Sequence, residues 1–191
     1  MSAGFICPAS AVHIFLTGDI QVGKSTIIRR FLEQTRLPAD GFVTYWERDS
    51  RDQGTAKPDS EGSRSLWLSP YSKDLQTVNR YLLLREVAGS LTAREDAICV
   101  FSEQGRRILK ESGRKSIIIM DELGFLESKS AEFQQAVMEH LAGDVPVLGV
   151  IKPVNTEFLD GIRAHPGVLT YEVTAENREA AFQWLTSVGL A

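Results

Sequence analysis

Residues 11–32 read AVHIFLTGDIQVGKSTIIRRFL, and this stretch decides the fold. Within it Gly18 to Ser25, GDIQVGKS, fits G-x-x-x-x-G-K-[ST], the pattern of a phosphate-cradling loop. The pattern has meaning only where a buried strand feeds the first glycine and a helix leaves the lysine. Val12, Ile14, Phe15 and Leu16 supply the strand, a nearly continuous apolar run suited to burial on both faces. Ile27, Ile28, Phe31 and Leu32 then recur at helical spacing, with Arg29, Arg30 and Glu33 turned the other way. Gly18 and Gly23 allow the tight bend that turns backbone N–H groups onto a phosphate, helped by the positive end of the helix. The expected nucleotide-binding segment is therefore Gly18, Asp19, Ile20, Gln21, Val22, Gly23, Lys24, Ser25 and Thr26. Lys24 reaches the outer phosphates, and Ser25 offers its hydroxyl to a magnesium ion bridging two of them.

A second stretch answers the first. Ser116 to Glu122, SIIIMDE, is an apolar run ending in two carboxylates, as expected of a buried parallel strand delivering acids to its C-terminal edge. Asp121 is the expected magnesium ligand beside Ser25. Glu122, the next carboxylate, is placed to orient and deprotonate a water attacking a γ-phosphate. Read alone, the same run is equally well a strand ending in a solvated turn.

The rest of the chain is an ordinary globular sequence. At 191 residues it is expected to form a single domain over 1–191, with the polar loop 49–64 as an exposed insert. A net charge of −4 exerts no global pull on nucleic acid. Two cysteines, Cys7 and Cys99, give neither a disulfide framework nor zinc spacing. The start MSAGFICPASAV lacks a basic leader, and no apolar run approaches membrane-spanning length, so a cytoplasmic protein is expected. No Asn-Lys-x-Asp string marks a guanine-specific switch.

Phe42 to Trp46 reads as a strand and Ser65 to Leu68 as its return, a hairpin projecting from the sheet. Arg48, Arg51 and Arg64 flank the intervening loop; one swinging onto a nucleotide would act as an arginine finger in cis, while the plainer expectation for each is solvation. Arg80 to Val87 is apolar without a decidable period. Thr92 to Ser112 reads as a helix, with Thr92 and Glu95 as its capping box. Ser130, Asn155 and Thr174 are expected to cap three later helices, with strands at Pro146–Ile151 and Val168–Val173 between them. Trp184 lies on the apolar stripe of the last helix and reads as core. This alternation after a phosphate loop implies a mostly parallel, doubly wound α/β sheet with helices on both faces and a small antiparallel hairpin insert.

Four segments in order resemble a known family, the small P-loop nucleoside triphosphatases found in thermophilic microbes and, in animals, as the cancer-related nucleoside triphosphatase. They are the loop Gly18 to Thr26 preceded by IFLT; Gly41-Phe42-Val43-Thr44 with Arg48, similar to G-F-x-T-x-E-x-R; MDELGFLE at 120–127, similar to I-D-E-I-G-K-M-E; and VTAENR at 173–178, similar to V-T-x-E-N-R. The resemblance implies a RecA-like P-loop NTPase fold in which Pro146–Ile151 lies between the loop strand and the Asp121 strand. It also implies a magnesium-dependent hydrolase of ATP, GTP or another nucleoside triphosphate, with loose base selectivity. Asn177 and Arg178 would then lie near the base or ribose; their spacing alone leaves them as first-turn helix residues. Two departures stand out: Phe125 replaces the family's lysine, and Trp46 replaces a glutamate. If that lysine serves the transition state, the cation must come from elsewhere, with Arg48 or Lys152 as candidates. The catalytic set is thus Glu122, Lys24 and Arg48, with Ser25 and Asp121 for the metal. Two readings stand beside hydrolysis: a nucleotide or small-molecule kinase, and a regulatory nucleotide-binding module in which Trp46 and Phe125 face an unidentified protein partner.

Overall fold

The computed structural model describes residues 12–48, 63–72, 77–87, 90–93, 96–124 and 127–190. Their elements are β1 (His13–Thr17), α1 (Lys24–Thr35), β2 (Ala39–Arg48), β3 (Arg64–Pro70), β4 (Tyr81–Val87), β5 (Ser90–Ala93), α2 (Ala97–Glu111), β6 (Ile117–Leu123), α3 (Ala131–Leu141), β7 (Val147–Ile151), α4 (Glu157–Ala164), β8 (Val168–Glu172) and α5 (Arg178–Val188). A short 3₁₀ turn, Glu127–Lys129, links β6 to α3.

One sheet contains all eight strands, in the order β5-β4-β3-β2-β6-β7-β1-β8. The strands from β2 to β8 are parallel, and β3, β4 and β5 continue the sheet antiparallel. As the family resemblance implies, β7 runs between β1 and β6. Strand alternation sorts the apolar runs into two cores. Ile14, Leu16, Ile117 and Ile119 pack under Ile28, Phe31 and Leu32 of α1 and Phe182 and Leu185 of α5. Phe15, Ile118 and Met120 face the other way, under Phe101 and Leu109 of α2, Phe133 of α3 and Leu159 of α4. Trp184 is partly buried against the first of these cores and meets Tyr171 at 4.7 Å between ring centroids, so its core reading holds.

Several local expectations are corrected. The antiparallel part is larger than a hairpin, because 81–87 forms β4 and 90–93 forms β5. Thr92 is therefore no helix cap: it pairs with Arg85 across the edge of the sheet, and α2 begins only at Ala97. Tertiary pairing of a β-branched residue overrides a local capping pattern here; Glu95 lies outside the described residues. Thr156 rather than Asn155 caps α4, its hydroxyl accepting from the Leu159 amide at 3.2 Å. Thr174 belongs to a separate turn, and α5 starts after Asn177. Ser130 caps α3 as expected. The loop 49–62 with Arg51, the N-terminal Cys7, and Phe125 lie outside the described residues.

Candidate nucleotide site

The loop after β1 is held in the shape its glycines predict. Gly18 has φ +125°, and a Cβ there would fall 2.2 Å from the carbonyl oxygen of Val173, so the first pattern position tolerates no side chain. Gly23 begins α1 in a left-handed conformation, and Gln21 also has positive φ. Lys24 folds back over this loop, and its Nζ donates to the carbonyls of Gly18 at 2.8 Å and Asp19 at 2.6 Å. Burial pushes its ammonium below the ordinary lysine range, and the nearby Glu122 and Asp121 oppose that shift. Residues Ile20, Gln21, Gly23 to Thr26, Glu122 and Val150 line a cavity of about 250 Å³.

β6 brings its two acids to the same place. Asp121 is buried, and desolvation pushes its carboxyl up to about 7, against the Ser25 hydroxyl that bonds it and the Lys24 charge nearby. A buried carboxylate with a hydroxyl beside it is a hard-oxygen pair in need of a cation, and it fits magnesium, which takes one or two protein oxygens and fills its shell with phosphate and water. Glu122 is only half-buried. Its amide donates to the Thr44 hydroxyl of β2 at 3.2 Å, so the G-F-x-T segment steadies the Asp-Glu segment. Gly41, in that segment, has φ +109°, and a Cβ on it would overlap the Ile119 backbone of β6 at 2.1 Å.

The remaining expected residues divide. Arg178 docks on the loop, its Nε donating to the Val22 carbonyl at 2.7 Å. Asn177 spends its side chain on its own turn, accepting from the Thr174 amide at 2.8 Å and donating to the Glu172 carbonyl at 2.9 Å. Arg48 is not brought to the site. Val43 is level with Asp121, and Arg48 lies five residues further along β2, roughly 16 Å at about 3.3 Å per residue. Two more residues lie close by: Glu127, and Lys152, the other candidate for the second cation. Glu127 is buried, accepts from the Gly124 amide at 2.7 Å, and is pushed by burial up to about 7. Lys152, just after β7, lies with its side chain against Gly124. A second cleft of about 360 Å³ opens beside Ser25 and Asp121, between α1 and β2, with Arg29, Glu33, Tyr45 and Tyr71 among its walls.

A phosphate-type loop on β1, paired acids on β6 and a strand between them define the P-loop α/β class. Comparison with known proteins narrows this. The NTPase family model matches residues 13–186, and the chain belongs to that family. It is 34% identical over 182 residues to the cancer-related nucleoside-triphosphatase homolog of Bos taurus, covering 88% of this chain and 91% of the relative. It is 27% identical over 190 residues to nucleoside-triphosphatase THEP1 of Aquifex aeolicus, covering 93% and 98%. Its fold matches the crystal structure of THEP1 from Aquifex aeolicus with a TM-score of 0.67 at 22% identity, over 93% of this chain and 98% of that one. It also matches the solution structure of a human cancer-related nucleoside triphosphatase with a TM-score of 0.64 at 25% identity, over 93% and 97%.

Proposed function

We propose that this chain is a magnesium-dependent nucleoside triphosphate hydrolase, releasing diphosphate and phosphate with loose base selectivity. The observation that carries the reading is the convergence of Lys24, Ser25 and Glu122 on one cavity at the C-terminal edge of the parallel strands, with Asp121 bonded to the Ser25 hydroxyl beside it. The loop amides and Lys24 hold the outer phosphates, and Ser25 and Asp121 would hold magnesium, which when bound would supply positive charge against the phosphates. Glu122 takes a proton from water as its oxygen bonds to the γ-phosphorus; the bond from that phosphorus to the β-bridging oxygen breaks, and the diphosphate leaves with the electron pair. Arg178 braces the loop against α5. The Asn177 side chain is committed to its own turn, and neither it nor any Asn-Lys-x-Asp string offers a base-reading element, which favours broad substrate use. We read residues 1–191 as one such domain, working in the cytoplasm.

The test is phosphate release from ATP, GTP, CTP and UTP with and without magnesium, with Lys24→Ala as the blank. Magnesium-dependent release from several nucleotides, lost in the variant, is the expected result. Release that requires an added hydroxyl compound would instead support a kinase, a reading favoured by the cleft beside Ser25 and Asp121, where Tyr45 and Tyr71 could wall in an acceptor.

A further inference from the structure

Phosphoryl transfer needs more positive charge than one lysine supplies, since charge spreads over the equatorial oxygens of the group in flight. Two other arginines are poorly placed for that duty. Arg48 lies at the far end of β2, and Arg178 holds the Val22 carbonyl on the α5 side of the loop.

Lys152 is positioned differently. β7 runs between the phosphate loop strand and the Asp121–Glu122 strand, so its C-terminal end faces the gap that the loop and Glu122 enclose. Val150 of β7 lines that cavity, and Lys152 follows the last residue of the strand, Ile151. The backbone of Lys152 is pinned on both sides: its amide donates to the Leu123 carbonyl at 2.9 Å, and its carbonyl accepts from Arg163 at 2.9 Å. Its methylenes lie flat over Gly124, where a Cβ would come within 2.7 Å of Cδ and 3.2 Å of Cε. The missing side chain at 124 is what lets the lysine cross there. Its charge acts on Lys24 on one side and on Glu127 on the other. Among the described residues its ammonium forms no ion pair, unlike Arg64, Arg80 or Arg163.

We propose that Lys152 supplies the second cation of this active site, contacting the γ-phosphate and stabilising its charge as it is transferred. The inference rests on the phosphate-binding reading above and extends it to a residue outside the motifs. Glu127 accepts from the Gly124 amide and so fixes the glycine that the lysine crosses.

The experiment compares the native chain with Lys152→Met and Lys152→Arg in three readouts. They are steady-state phosphate release, affinity for a diphosphate and for a non-hydrolysable triphosphate with magnesium, and thermal midpoint. The methionine variant is expected to lose at least about 100-fold in kcat, within reach of what an arginine-finger cation contributes. It should bind diphosphate as the native chain does and lose about tenfold in the preference for triphosphate over diphosphate. Arginine should restore most of both. The affinity ratio is read whether or not the chain turns over, so an inactive native protein would sink hydrolysis while leaving Lys152 to be judged by that ratio. An unchanged ratio in Lys152→Met overturns the proposal. So does equal weakening for both nucleotides accompanied by a lower thermal midpoint, which would make Lys152 a packing residue.

Discussion

Strand β2 belongs to two different regions, and the contrast between them explains much of the molecule. Its first half, Ala39 to Val43, pairs in parallel with β6 and is largely buried. There the backbones approach so closely that Gly41 has no room for a side chain, and Thr44, one step beyond, supports Glu122. Its second half pairs only with β3, at the base of the antiparallel extension. One face of that extension packs Leu66, Leu68 and Leu83 beneath α2, while tryptophans elsewhere are covered by arginines. The Arg64 guanidinium lies 4.6 Å from the Trp46 ring and pairs with Glu86 at 2.7 Å; that of Arg80 lies 4.4 Å from the Trp67 ring and pairs with Glu47 at 2.7 Å. The parallel region is fixed by steric necessity. The extension is held by contacts that each contribute little.

The contrast implies that substitutions in the parallel region are costly and those in the extension mild. The largest effect is expected at Glu122, where a general base typically contributes about 10² to 10⁴ in rate. Glu122→Gln should reduce phosphate release by that order while nucleotide affinity, measured by titration calorimetry, changes little. Turnover at the native rate would remove Glu122 from the mechanism. Next comes Gly41→Ala. Positive φ and a Cβ overlapping backbone at 2.1 Å together should cost roughly 3 kcal/mol or more, read as a lower urea midpoint. A near-neutral result would mean that β2 and β6 can separate, which would blur the distinction between the two regions.

The same division governs what the sequence revealed. Apolar runs buried on both faces, the glycine spacing of 18–25 and the Asp-Glu pair at 121–122 are local signals, and each one agrees with the global arrangement. The extension sends no such signal. Arg80 to Val87 is apolar enough to be a helix or a strand, and only pairing with β3 and β5 decides. Thr92 fits a capping box until that pairing claims it. Trp46 looks out of place in sequence because the arginine that covers it enters from β3. Within the site, Lys24, Ser25, Asp121 and Glu122 carried their roles in their spacing. Glu127 did not, and Lys152 entered only as one of two candidate cations, since what distinguishes them is burial beside a glycine amide and a path across Gly124.

Glu127 gives a pH test of the parallel region. Burial raises its carboxyl from the ordinary 4.5 to about 7. The folded state therefore holds a proton that the unfolded state releases, and this group's contribution to stability is full below pH 4.5 and declines as pH rises towards 7. The whole span corresponds to about 3 kcal/mol at most. Urea titrations of the native chain and Glu127→Gln across pH 5 to 8 should show the native chain losing stability relative to the variant as pH rises. Parallel curves would mean that Glu127 is already ionised in the folded protein, with Lys152 as the partner that keeps it so.

The smallest effect is expected at Trp46, and it tests the comparison from the other side. The side chain is 40% exposed, and its partner Arg64 keeps Glu86 as an ion-pair partner if the ring is removed. Trp46→Ala should thus lose an exposed cation–π contact of about 0.5 to 1 kcal/mol and some partial burial, leaving turnover unchanged. The residue lies three positions beyond Val43, the level of Asp121, so no direct contact with the phosphates is available to it in this arrangement. A tenfold fall in turnover with stability intact would show that the extension folds over the site during the reaction. Arg48, two residues further along β2, would then regain its place as a candidate finger, and the two halves of β2 would share one function.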